Sequence, residues 1–138
     1  MDIRQAFLDL MSTHTEIALA TCAGDAPNVR LVNFCYDAPT KSILFTSFPD
    51  NDKVAEFARN PRVAFTTVPK EGIAHVKGGG VVRKSPRLLA DVAPLFVAKI
   101  PDYDQTLEQV GDILVLFEIP LGCATVTLDF DHIETIPV

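Results

Sequence analysis

The chain has 138 residues, 18 of them acidic and 12 basic, for a net charge of -6 and a pI near 4.9. That length fits one domain, residues 1–138, able to bury roughly two thirds of its unfolded surface without disulfide staples. Hydrophobic residues at 48% and charged residues at 22% exclude disordered, collagen-like and coiled-coil classes, and the acidic balance argues against a broad footprint for nucleic acid or an anionic membrane.

"IRQAFLDLM" sets Ile3, Phe7, Leu10 and Met11 at helical spacing behind Asp2 as N-cap, so a short first helix is expected. "EIALATC" and "VRLVNFCYD" then read as two strands joined through the Gly/Pro-punctuated "AGDAPN", a hairpin with a longer loop. "SILFTSF" follows as a third strand. "PDNDKVAEFARN" shifts to helical period with Asp50 or Asn51 as cap, and "PRVAFTTV" returns to a strand. In "IAHVKGGGVVRKS", Gly78, Gly79 and Gly80 interrupt a fifth strand, where a bulge or sharp barrel corner is expected. Ser85 as N-cap and Pro86 at the first helical position predict a helix over "SPRLLADVAPLFVAKI", and "DQTLEQVG" adds a shorter one. "DILVLFEI" and "CATVTLDFDHI" close the chain as strands. The connections are too short for parallel crossovers, so the pattern predicts a mainly β fold, a six- to seven-stranded antiparallel barrel with flanking helices.

No apolar run is long enough to span a bilayer, and the N-terminal segment carries acids where a signal peptide needs a positive start, so the chain reads as cytoplasmic. Cys22, Cys35 and Cys123 are odd in number and widely spaced, as expected of reduced, buried thiols. His14, His75 and His132 lack ligand spacing, so no metal site is expected. No serine lies in a nucleophile elbow and no cysteine has a local histidine partner, so no catalytic side chain is assigned.

Two features point to chemistry. Arg30 and Asn33 sit in an otherwise apolar strand and need partners, because a buried polar group without a hydrogen bond costs about 1 to 3 kcal/mol. Arg30 wants an acid of this chain or a phosphate. The second feature is the "FTS" strand end followed by "PDNDK". Thr46 and Ser47 offer hydroxyls there, and Lys53 lies in the first helical turn, whose free amides favour an anion. Asp50 and Asp52 oppose an anion unless they point away or cap the helix.

The order of "EIALATCAGDAPNVRLVNFCYD", "SILFTS" and "KVAEFARNPRVAF" resembles the flavin-binding split barrels related to pyridoxamine 5'-phosphate oxidase, closely over residues 1–85 and by element pattern beyond. The resemblance implies a homodimer with FMN at the subunit interface. It assigns cofactor contacts to Arg30, Leu31, Val32, Asn33, Phe45, Thr46, Ser47, Asn51 and Lys53, with Arg30 and Lys53 on the phosphate side. It also implies an oxidoreductase working by hydride or electron transfer on a small molecule; the alternatives are a flavin-binding or electron-carrier module, or a split barrel that takes F420 or haem. Two departures stand out: Asp52 occupies a position often held by arginine, and nothing up to Val138 resembles the C-terminal segment with which the oxidase grips its vitamin substrate, so that substrate is not expected here.

Overall fold

The computed structural model describes residues 2–138. In chain order it comprises α1 (Ile3–Thr13), β1 (Glu16–Ala23), β2 (Ala26–Asn33), β3 (Cys35–Asp37), β4 (Ser42–Ser47), α2 (Asp52–Arg59), β5 (Arg62–Thr67), β6 (His75–Val81), β7 (Arg83–Lys84), α3 (Leu89–Lys99), α4 (Tyr103–Val110), β8 (Val115–Pro120), β9 (Cys123–Asp129) and β10 (His132–Pro137). The strands form two antiparallel sheets. One runs β10-β9-β6-β5-β1-β2 and the other β3-β4-β8-β7. Successive strand pairs alternate between them: β1–β2 in the first, β3–β4 in the second, β5–β6 in the first, β7–β8 in the second, β9–β10 in the first.

This is the mainly β, split-barrel architecture expected, with finer divisions than the sequence suggested. The run "VRLVNFCYD" is two strands. It ends its pairing with β1 at Asn33 and begins pairing with β4 at Cys35, so the chain changes sheet at Phe34. Phe34 is fully buried, and its N–H donates to the Thr15 carbonyl at 3.1 Å. The last run is also divided, into the β9–β10 hairpin, and β7 adds a two-residue strand.

Alternation along β4 and β8 gives each face of the four-stranded sheet its own core. Ile43, Phe45, Phe117 and Ile119 point inward to the barrel, where Phe45 stacks on Phe117 at 5.5 Å and Phe57 of α2 meets Phe117 edge-on at 5.4 Å. Leu44 and Leu116 point outward and are covered by Val92, Phe96, Ile100 and Tyr103 from α3 and α4. The two helices thus close the outer face of this sheet.

Three local expectations are corrected by tertiary packing. Gly78, Gly79 and Gly80 form neither bulge nor corner: β6 pairs with β5 in unbroken register from Arg62↔Val81 to Thr66↔Lys77. Glycine is required there by close approach. A Cβ on Gly79 would lie 2.8 Å from the Val63 carbonyl oxygen, and one on Gly80 would lie 3.0 Å from that of Pro120. Gly79→Ala should therefore cost about 1 to 3 kcal/mol by overpacking against backbone that cannot yield. Gly122→Ala, with nothing within 4 Å of the new Cβ, should leave the thermal midpoint almost unchanged; equal shifts in the two variants would contradict this account.

The second correction concerns Ser85, which does not cap α3. The helix starts at Leu89, with the Asp91 carboxylate accepting from the Leu88 N–H at 3.3 Å. The Ser85 hydroxyl instead donates to buried Glu118 at 2.6 Å. The third concerns the thiols: all three are free, but only Cys35 is buried, Cys22 being intermediate and Cys123 exposed. Among the described residues no helix is long and apolar enough to cross a membrane, and no cluster of metal-ligating side chains occurs.

Candidate functional site

A cleft of about 310 Å³ opens where the C-terminal ends of β2 and β4 approach the first turn of α2 and the connection between α3 and α4. Leu31, Val32 and Asn33 contribute one wall, Thr46 and Ser47 the second, and Asn51 and Lys53 the entrance of α2. All the residues singled out from the sequence therefore line this one cleft, except Arg30 and Phe45.

Phe45 is fully buried among Phe57 and Phe117, so its side chain supports the cleft from behind. Arg30 has found an acid of its own chain. One guanidinium nitrogen donates to the Thr21 hydroxyl at 2.7 Å, and the other pairs with Glu56 at 3.2 Å. Thr21 in turn donates to Glu56, and the Asn28 amide donates to its other oxygen at 2.8 Å. The Thr21 bond, then those from Arg30 and Asn28, outweigh desolvation and hold the Glu56 carboxyl below its ordinary pKa. In this structure the Arg30 guanidinium thus pairs with a carboxylate of its own chain. Glu56 sits three residues after Lys53 on α2, so this network ties the helix to β1 and β2.

Lys53 has no ion-pair partner among the described residues. Burial, and then the positive charge of Arg30, lower its pKa. Its ammonium is a charge in need of an anion. The N-terminus of α2 points the same way: Asn51 occupies the N-cap position but makes no side-chain cap, because its amide donates to the Ser47 hydroxyl at 3.2 Å. The first amides of the helix are left without a side-chain acceptor. Asp50 and Asp52 are exposed, and neither lines the cleft.

The far wall comes from α3 and α4. Ile100 and Pro101 at the end of α3, with Tyr103 and Thr106 of α4, complete the cleft. The "IPDYDQ" stretch reads by composition as an exposed connection, with a lid over a site as the lesser alternative, yet Tyr103 is buried against Phe96, and its hydroxyl lies 2.6 Å from that of Thr46. Burial raises its pKa, the Thr46 bond offsetting part of the effect. Asp102, with φ of 60°, turns the chain into α4. The arrangement offers one partly buried cation, helix amides without a side-chain cap and hydroxyls at one end, and aliphatic and aromatic walls at the other. Such a cleft suits an elongated ligand with an anionic end.

A family model described as pyridoxamine 5'-phosphate oxidase-like matches residues 10–132. No curated protein matches the sequence. Among solved structures, a NimC/NimA family protein of Clostridium acetobutylicum is similar over 100% of this chain and 95% of that one, with 19% identity and a TM-score of 0.73. An FAD-binding protein of Mesorhizobium loti matches over 90% of each chain at 15% identity and a TM-score of 0.67. HutZ, the haem storage protein of Vibrio cholerae, matches over 91% of this chain and 95% of that one at 15% identity and a TM-score of 0.72. At these identities the likeness shows a shared fold.

Proposed function

Because the chain belongs to the pyridoxamine 5'-phosphate oxidase-like family, we propose that it is a flavoprotein with FMN as its cofactor, acting as an oxidoreductase on a small molecule. The observation that carries this reading is the unpaired, partly dehydrated Lys53 beside the uncapped amides of α2, in a cleft that also holds Leu31, Val32 and Asn33. In this reading the phosphate is held by Lys53, Ser47 and the α2 amides, and Thr46, Asn33 and the aliphatic wall bound the rest. Arg30 keeps α2 in place through Glu56. Bound flavin would supply the hydride or electron transfer; the chain's own residues supply position and charge compensation.

The cleft is small for a whole nucleotide, which favours completion by a second subunit. β2 is an edge strand of the six-stranded sheet, with Val29 at 68% and Leu31 at 58% exposure, and Leu31 also lines the cleft. A homodimer with flavin at its interface would cover both side chains. Haem gains less support, since no histidine lines the cleft.

The test is the visible spectrum of the purified protein, with identification of the released cofactor. Flavin absorbance, or FMN uptake on titration, is the expected result. A colourless protein that takes up neither FMN nor F420, or one showing a haem Soret band, would overturn the proposal. Rapid reduction by NADH or NADPH with turnover marks an enzyme, whereas reduction without turnover marks a carrier.

A further inference from the structure

A second cavity, of about 400 Å³, lies beside the first, between the C-terminal end of α1, β3, α3 and the loop after β5. The chain passes from one cavity to the other twice: Asn33 lines the cleft and Cys35 the second cavity, and Ile100 lines the cleft and Lys99 the second cavity. Its polar character runs against that of the whole molecule. In a chain of net charge -6, Lys70 and Lys99 line it and no carboxylate does.

Lys99 is the central group. Its ammonium donates to the Met11 carbonyl at 2.9 Å and sits 3.6 Å from the centroid of the Phe34 ring. Neither contact neutralises the charge, and an ammonium has three donors. No carboxylate pairs with it among the described residues. Burial lowers its pKa to about 8, against a raising effect from Cys35. Cys35 gives no lasting compensation, because burial pushes its thiol up to about 11, and burial likewise raises Tyr36. His14 is buried nearby with Nδ1 unpartnered, and burial, then Lys99, His75 and Lys70, lower its pKa. The groups around the cavity are thus cationic or neutral.

The rest of the lining narrows the ligand. Ser12 and Thr13 donate their hydroxyl protons to the Asp9 carbonyl, so neither is free to hold an anion. Met11, Leu95 and Ala98 are apolar. A phosphate dianion is held best by a guanidinium fork or by a nest of backbone N–H groups beside a cation, and no arginine lines this cavity. We propose that it binds a small organic carboxylate, the charge held by Lys99 and Lys70 and the apolar body against Met11, Leu95 and Ala98. This rests on the cavity alone and stands apart from the flavin reading.

Titration calorimetry with benzoate, and with inorganic phosphate as the contrasting anion, tests the proposal. Benzoate should bind more tightly than phosphate. Lys99→Met should weaken it by at least about tenfold, equivalent to about 1.4 kcal/mol, Lys70→Ala should weaken it several-fold, and Lys99→Arg should retain it. At pH 8 the heat should vary with buffer ionisation enthalpy, because the anion draws a proton onto Lys99. Lys53→Ala should leave benzoate unaffected; loss of binding there would put the carboxylate in the other cleft and overturn the proposal. Absent benzoate binding, phosphate binding as tight as benzoate, or indifference to both lysine substitutions would overturn it too. If Lys99→Met fails to fold by circular dichroism, Lys70→Ala and Lys99→Arg decide.

Discussion

Glu118→Ala should destabilise the protein by about 2 to 3 kcal/mol, the range for losing charge-assisted hydrogen bonds at a buried carboxylate. Glu118 lies on β8 at 4% exposure. It accepts from Arg83 Nε at 2.9 Å and Nη2 at 2.7 Å through one oxygen, and from the Ser85 hydroxyl at 2.6 Å through the other. Arg87 stands 3.8 Å from that second oxygen and binds Asp37 of β3 at 3.0 Å. The carboxylate therefore fastens β7 and the segment leading to α3 onto the four-stranded sheet. Alanine leaves Ser85 buried without its acceptor, while the largely exposed Arg83 can hydrate, which keeps the cost below that of a fully buried ion pair.

Glu118 also gives an acid dependence of known sign. Burial alone would raise its pKa, but the Ser85 bond and the Arg83 guanidinium outweigh burial and hold it below its ordinary 4.5. A carboxylate with a depressed folded pKa stabilises fully above its unfolded value and loses that contribution as pH falls through the folded one. The stability gap between wild type and Glu118→Gln should be constant above about pH 5.5 and narrow on further acidification. Chemical denaturation across that range measures it, and a gap that widened toward acid would reverse the assignment.

Lys53→Ala carries the second large effect. On the proposed reading it should weaken FMN by about tenfold to a hundredfold, the equivalent of about 1.5 to 3 kcal/mol for a hydrogen bond to a charged group. Riboflavin, which lacks the phosphate, should bind the variant and the wild type alike. Fluorescence titration of both ligands reads the difference, and equal losses would remove the phosphate from Lys53. Arg30→Ala should behave differently. It leaves Glu56 without its cation and loosens α2, so its effect should appear in thermal stability as well as in FMN binding.

These residues also show how far sequence reading reaches. The contributions of β2, β4 and α2 to the cleft were legible because they fall within 23 consecutive positions, Leu31 to Lys53, where alternation and a helix start place side chains locally. Ile100 was not, and Tyr103 was weighed only as part of a loop that could cover a site, since no local signal says which face α3 and α4 lay against the second sheet. Arg30 announced its need for a partner but not which acid would meet it; Glu56 is 26 residues away. Ser85 looked like a cap because Ser-Pro is a strong local signal, and a buried carboxylate outcompeted the helix for its hydroxyl. The sheet change at Phe34 left no trace because alternation runs on unbroken while the hydrogen-bonding partner changes from β1 to β4.

The alternation of strand pairs between the two sheets has a kinetic consequence. Neither sheet is confined to one half of the chain: the six-stranded one needs β1 and β10, the four-stranded one β3 and β8. Neither core can close until segments from both halves of the chain have met, so early-formed hairpins gain little until the late ones arrive. Folding should be a single slow event, in the millisecond-to-second range typical of non-local β topologies, and an isolated N-terminal half emerging during synthesis should hold no stable tertiary structure.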